Sequence, residues 1–295
     1  MNSDIIHASI IIDDPFLREN YGFLNYRKLL NLMDKHNFFT TIAFIPWNYN
    51  RTDKRIADLF RERSDRFSLC VHGCDHTKGE FAKTDLNYLD NKVKLATARM
   101  IEHEKRTGIP FDRIMVFPQG EFSNEALEAL KNNKYLAAVN TEAMPISGSI
   151  SSNFPLFLRY KPEDVIDRVS DPTFIVLHHD YFGKGYERLT ELVDEINTRS
   201  KQKMKWASVG NIIRYYLSRE SVKLKVLNFR QSENLTNEVK NDLADVDLSG
   251  LKFHGYKENI KIMIRRYASE FRDNYVCEND FLLNCAKSVK NLMKM

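Results

Sequence analysis

Along most of this chain, short apolar runs rich in β-branched and aromatic residues alternate with longer runs whose apolar residues recur at helical spacing. Residues 7–13 read as a buried strand, and 24–37 as a helix with Leu29, Leu30 and Met33 on one face. Strand 39–46, helix 53–66 and strand 67–72 follow, then a long helix over 85–107 that Gly108 and Pro110 end. The pattern continues through strand 113–118, helix 124–133, strand 135–140, a Ser- and Gly-rich loop at 146–153 and a short strand over 156–160. Strand 173–178, helix 186–198, strand 204–209 and helix 211–219 complete it. Near-continuous apolar strands, each followed by a helix, call for a parallel sheet covered by helices. The expected fold is α/β, a distorted (β/α) barrel of about seven parallel strands over residues 1–219.

The polar residues then fall in one place. Asp13, Asp14, His72, His76, Pro118, Gln119, Gly120, His178, His179 and Asp180 all stand at the C-terminal ends of their strands. In a parallel barrel that end carries the active site. An open doubly wound sheet would collect its ligands there too, so the clustering alone does not separate the two forms. Asp, His and His offer one oxygen and two nitrogen donors, a set suited to zinc or a similar divalent ion with a position left open for water.

Composition narrows the setting. A chain of 295 residues with 43% hydrophobic residues has ample material for a core. No apolar stretch approaches bilayer length, and the start, Met1-Asn2-Ser3-Asp4, is acidic and leads straight into a strand, so a cytoplasmic location is expected. Cys70, Cys74, Cys277 and Cys285 form no CxxC pair, which fits a reducing compartment. With 44 basic against 40 acidic residues the net charge is +4, too near balance to predict a nucleic-acid partner.

Each motif has a plain reading beside the chemical one. Two histidines four apart arise readily by chance, but this pair follows an apolar strand and is broken by Gly73, which suits a tight loop turning both imidazoles inward. Asp-Asp before Pro15 is, taken alone, a common strand-ending turn. Their coincidence at one barrel end favours a site.

These residues also match a family. Ile11-Ile12-Asp13-Asp14 resembles the first motif of the polysaccharide deacetylases, the NodB homology domain of carbohydrate-esterase type. His72-Gly73-Cys74-Asp75-His76-Thr77 resembles their second motif, and the run from Phe174 to Asp180, ending His178-His179-Asp180, resembles their late strand motif. The resemblance covers roughly residues 5–215 and implies a metal-dependent hydrolase that removes an N-acetyl group from a sugar or glycan precursor. It implies Asp13 as base, Asp14, His72 and His76 as ligands of a divalent metal, zinc by expectation, and His179 as the acid for the leaving amine. His178 falls where the family has an apolar residue, and is expected to line the barrel or touch substrate. Side-chain alternation at a strand end would send Asp13 and Asp14 to different sides, one to the proton and one to the metal. An ion there would lower the pKa of water from about 15.7 toward about 7, and an imidazole near pKa 6.5 can protonate an amine near neutrality.

The third motif departs from the family. Similar enzymes place an arginine just before a proline and glycine to hold the catalytic aspartate, whereas Met115-Val116-Phe117-Pro118-Gln119-Gly120 has none. Arg113 would lie roughly 16 Å down the strand at about 3.3 Å per residue. Arg159, ending the next short strand, could reach Asp13, and Gln119 could instead orient base or substrate. Trp47, Pro118, Gln119, Arg159 and Tyr181 are the candidate substrate contacts, with Phe16 and Phe182 as further wall residues. Cys74 is a possible fourth ligand, although an extended loop would turn it away from both histidines. His7, His36, His103 and His254 are expected to be structural.

Two other activities fit the same pattern: hydrolysis of a different linear or cyclic amide, or a barrel that binds metal or carbohydrate without catalysis. Beyond about residue 220 the pattern changes. Val222, Leu224 and Val226 alternate like a strand, 232–247 is polar, and 260–271 reads as a helix carrying Lys261, Arg265 and Arg266. Residues 220–295 are expected to form an appended segment, its basic residues a solvated face or a site for an anionic lipid or sugar phosphate.

Overall fold

A computed structural model of the chain describes residues 5–199, 203–218 and 256–276. Strand β1 (Ile5–Asp13) is its axis, with every residue after Ile5 buried. It pairs in parallel with β4 (Thr40–Phe44) on one edge and β9 (Thr173–Leu177) on the other. The short hairpin β2 (Asn20–Tyr21) and β3 (Leu24–Asn25) lies between. From β4 the sheet runs through β5 (Phe67–His72), β6 (Phe111–Val116), β7 (Ala137–Asn140) and β8 (Leu156–Leu158), every neighbour parallel.

Tyr160 then closes the ring. Its N–H donates to the Phe174 carbonyl and its own carbonyl accepts from Val176, a parallel bridge from just beyond β8 to β9. The seven strands form the expected distorted barrel. An additional strand, β10 (Lys203–Trp206), lies along the N-terminal half of β1.

Helices begin and stop where the local chemistry dictates. Asn25 caps α1 (Tyr26–His36), Asp85 caps α3 (Leu86–Thr107), Ser123 caps α4 (Asn124–Asn132) and Ser208 caps α7 (Val209–Leu217), each side-chain oxygen accepting from a first-turn N–H. Gly108 ends α3 in the left-handed conformation. Helices α2 (Lys54–Glu62), α5 (Pro162–Val165) and α6 (Glu187–Arg199) complete the barrel coat.

The period-two alternation of the strands divides the core. Ile10 and Ile12 face the helices, while Ile11, Ala43, Cys70, Val116, Phe157 and Phe174 fill the barrel and meet Val209, Ile212 and Ile213 of α7. On the inward rows of β1 and β5, Asp13 and His72 come next above this filling, so the apolar interior ends in a polar floor. The last helix, α8 (Tyr256–Phe271), runs into a π-helical turn over Arg272–Val276 and packs on the same end of the barrel. Glu270 accepts from Arg18 at 2.7 Å and Arg51 at 2.6 Å, Tyr21 donates to Asp273 at 2.7 Å, and Asn274 accepts from the Gly22 N–H at 2.9 Å. The alternating strand expected at Val222–Val226 and the polar stretch after it lie outside the described residues, as do His254, Cys277 and Cys285.

Candidate metal centre and catalytic cleft

Asp14, His72 and His76 each turn a donor atom to a common point, all within 4.8 Å of one another. Asp14 Oδ1 stands 3.2 Å from His72 Nε2 and 3.0 Å from His76 Nε2. That oxygen is buried without a well-aligned hydrogen bond, which leaves it able to serve a cation. The His72 Nδ1–H can donate to the Val116 carbonyl at 3.0 Å, leaving the Nε2 lone pair for a metal. The Gln119 side-chain amide nitrogen lies 3.5 Å from His76 Nδ1, at the outer side of the same ring. The donor set fits a zinc-type ion with open coordination positions.

The backbone is bent to achieve this. Asp14, His76 and Gln119 have φ of 77°, 55° and 55°, in the left-handed region that side chains other than glycine seldom adopt. The turn at Asp14 cancels the alternation expected of neighbouring residues, and both Asp13 and Asp14 line one cleft. Non-glycine strain of this kind concentrates where a site over-determines the chain.

The ligand loop rests on a buried carboxylate. Glu80 accepts from the backbone N–H of Cys74 at 2.9 Å, Asp75 at 3.1 Å and His76 at 3.1 Å. Beneath it, Asp75 pairs with Lys92 and with Arg99 at 2.6 Å. Cys74 is fully buried in the apolar core and burial pushes its thiol pKa up. Its backbone faces Glu80 while its sulfur lies 3.3 Å from Arg99 rather than in the donor cluster, so the possible fourth ligand is excluded by the loop's direction.

Asp13 meets Arg159, which donates through both terminal nitrogens at 2.6 and 2.7 Å. Burial would raise the carboxyl pKa, but the charges of Arg159 and then His72 outweigh it and hold it below its ordinary value. Burial acts the same way on Asp14, where His76 and the neighbouring imidazoles drive it well below. For His76, Asp14 reverses the lowering that burial causes, giving a net rise.

The two late histidines part company. His178 lines the cleft 3.7 Å from Asp14 Oδ2, its side chain 52% exposed. Burial of the ring lowers its pKa, but the Asp14 and Asp13 carboxylates carry it up to about 9. His179 turns under the C-terminal segment, with Nε2 3.6 Å from Asp273 and its ring edge-on to Tyr21 at 5.3 Å. Asp273 is held below its ordinary pKa: burial opposes this, and hydrogen bonds from His179 and Tyr21 outweigh it.

A cleft of about 780 Å³ opens beside these groups. Gln119, Arg159 and Tyr181 line it, with Lys161, Lys184 and Arg188 at its rim. Trp47 is not in this lining: it faces Tyr267 of α8 at 6.1 Å, and Pro118 packs against Gly73. Sequence reasoning missed Asp273 and Glu80. Asp273 lies 252 residues from Tyr21 in a segment with no motif, and nothing local marks it.

No family model matches the chain. Among curated proteins, a phosphate acetyltransferase of Buchnera aphidicola subsp. Acyrthosiphon pisum (strain APS) is 30% identical over 122 residues, covering 36% of this chain and 16% of that protein. The chain thus matches only that small fraction of the relative's length. Among solved structures, a family 4 carbohydrate esterase from Bacillus anthracis is 16% identical, with 70% of this chain and 82% of that one covered and a TM-score of 0.45. A family 4 carbohydrate esterase from Streptomyces lividans in complex with acetate is 11% identical over 66% and 86%, at 0.42. The Xyl-CE4 domain of a multidomain xylanase from the hindgut metagenome of Trinervitermes trinervoides is 11% identical over 75% and 96%, at 0.46.

Proposed function

We propose that this protein is a metal-dependent amide hydrolase of the polysaccharide deacetylase type, removing an N-acetyl group from an amino sugar in a glycan or glycan precursor. One observation carries the reading: a zinc-type Asp14/His72/His76 donor set beside an ionised aspartate held by an arginine, all opening on one cleft. A bound divalent ion would supply Lewis-acid activation of water and of the amide carbonyl.

The chain's own residues do the rest. Arg159 fixes the plane and charge of Asp13, so its carboxylate is already oriented to accept a proton from water. The arginine absent from the third motif is thereby supplied from just beyond β8, two strands on, which argues for catalysis over a binding-only barrel. Gln119, Tyr181 and the rim cations offer polar and aromatic contacts for a sugar. His179, oriented by Asp273, is the acid by motif. His178 is a second reading for that step, favoured by its exposure to the cleft.

Purified protein should hold about one divalent ion per chain and release acetate from members of an N-acetylhexosamine panel. Asp13→Asn should keep the ion and lose the activity. His178→Ala and His179→Ala, compared under single turnover, identify the proton donor by which one removes the leaving-group step. A protein with no affinity for zinc, or one that turns over small cyclic amides and no N-acetyl sugar, overturns the proposal.

A further inference from the structure

The inward face of α8 carries Ile262, Arg266 and, in the following turn, Asp273, all buried against the barrel end. The opposite face is apolar and open. Ile264 is 60% exposed, Phe271 58% and Tyr275 63%, and between them Tyr267, at 50%, keeps one side of its ring against Trp47 and Arg51. Their spacing of three or four residues lines them along one stripe about half a turn from the buried row. Phe271 and Tyr275 meet ring to ring at 5.4 Å, so the stripe is continuous at its C-terminal end.

The charges beside it have one sign. Among described residues 259–276, the exposed charged side chains are Lys261, Arg265 and Arg272, all on the same flank. Arg272 pairs with the buried Asp273. Glu270 is engaged by Arg18 and Arg51 and is 13% exposed, so no exposed carboxylate offsets this flank among those residues.

We propose that this face docks onto an anionic lipid bilayer. A basic amphipathic helix with aromatic and aliphatic residues opposite its protein-packed face lies in the interface plane, its rings at headgroup depth and its cations toward anionic headgroups. None of the helices searched among the described residues is long and apolar enough to cross a membrane. A second copy of the chain presents the same positive flank and offers it no charge complement, whereas an anionic bilayer does. Docking holds the protein by the same barrel end on which the metal cleft opens. It does not depend on the reaction proposed for that cleft.

The test uses the full chain with vesicles of phosphatidylcholine alone or with phosphatidylglycerol mixed in, read by co-sedimentation. Binding should require the anionic lipid and weaken with salt. Each cation near such a surface contributes about fivefold in affinity, so Lys261→Gln/Arg265→Gln should weaken binding about 25-fold. Ile264→Asp/Phe271→Asp should abolish it with the thermal midpoint unchanged. Absence of sedimentation with phosphatidylglycerol vesicles overturns the proposal. So does a fall in thermal midpoint in the aspartate variant, which would mean that the chain itself covers the stripe, or conversion of a dimer to a monomer, which would make a second copy the occupant.

Discussion

Arg159 grips both oxygens of Asp13 across the barrel interior, at 2.6 and 2.7 Å, although the two residues lie 146 positions apart. A planar guanidinium matched to a carboxylate fixes orientation as well as charge, which a lysine cannot do. Both groups are almost fully buried, and the Arg159 charge is the main influence that keeps the desolvated Asp13 carboxylate ionised.

Arg159→Met should therefore destabilise the protein by about 3–5 kcal/mol, because it strands a buried carboxylate. The double variant Asp13→Asn/Arg159→Met should recover much of that loss. Urea denaturation of the four proteins closes the cycle. Additive losses would show that the pair is not coupled.

Zinc should stabilise the folded chain through Asp14, His72 and His76. At about 100 times its dissociation constant, a ligand that binds only the native state adds about 2.7 kcal/mol. The thermal midpoint should rise on zinc addition and not move in Asp14→Ala. An equal rise in both would place the ion elsewhere.

Glu80 touches no metal position but holds three consecutive N–H groups of the loop that carries His76. Losing such support behind a ligand costs about 10- to 100-fold in metal affinity. Competition of Glu80→Ala against a zinc-chelating dye should show a loss in that range. Unchanged affinity would mean the loop holds its shape without the carboxylate.

Gly22 has φ +53°, and a Cβ there would collide with the His179 ring and come within 2.9 Å of the Asp273 carbonyl. Gly22→Ala should lower stability by about 1–3 kcal/mol through backbone strain and overpacking, and should displace the His179–Asp273 pair. Proton NMR of the His179 ring, followed with thermal melts, reports both effects. An alanine variant with native stability and an unmoved His179 resonance would contradict the packing described.

His103 is fully buried against Phe44 with Nε2 2.8 Å from the Thr52 hydroxyl, and desolvation lowers its pKa to about 4. An unfolded histidine titrates near 6.5, so between those values the unfolded chain binds more protons and stability falls as pH falls. The contribution is complete above about pH 6.5 and is lost toward pH 4, amounting to about 3 kcal/mol. His103→Gln should flatten that part of the pH–stability curve. A curve of unchanged slope would show that His103 is not the titrating group.

Much of the candidate site was legible because holding a metal would need particular donors at particular offsets. Asp14, His72 and His76 stand at strand ends that apolar runs announce, and the barrel brings the three donors within 4.8 Å. Arg159 was legible as one of two groups that could serve Asp13, since the missing arginine of the third motif posed the question. Asp273, Glu80 and the separation of His178 from His179 were not legible. Glu80 depends on how the loop turns after β5, His178 and His179 on the helical turn that follows β9, and Asp273 on where the end of a helix distant in sequence docks, none of which period-two alternation predicts.

Alternating apolar strands and amphipathic helices determined a parallel sheet covered by helices, because that pattern can be buried in few ways and all of them gather the strand ends on one face, while its closure into a barrel through Tyr160 is a tertiary feature. The sequence also determined the donor types, and with them the kind of ion they suit. Only the tertiary structure decided that Arg159 takes the charge of Asp13, that Trp47 packs beneath α8 rather than in the cleft, and that residues 256–276 cover His179. These are long-range packing choices made by side-chain shape and charge between segments far apart in the sequence. No local spacing encodes them.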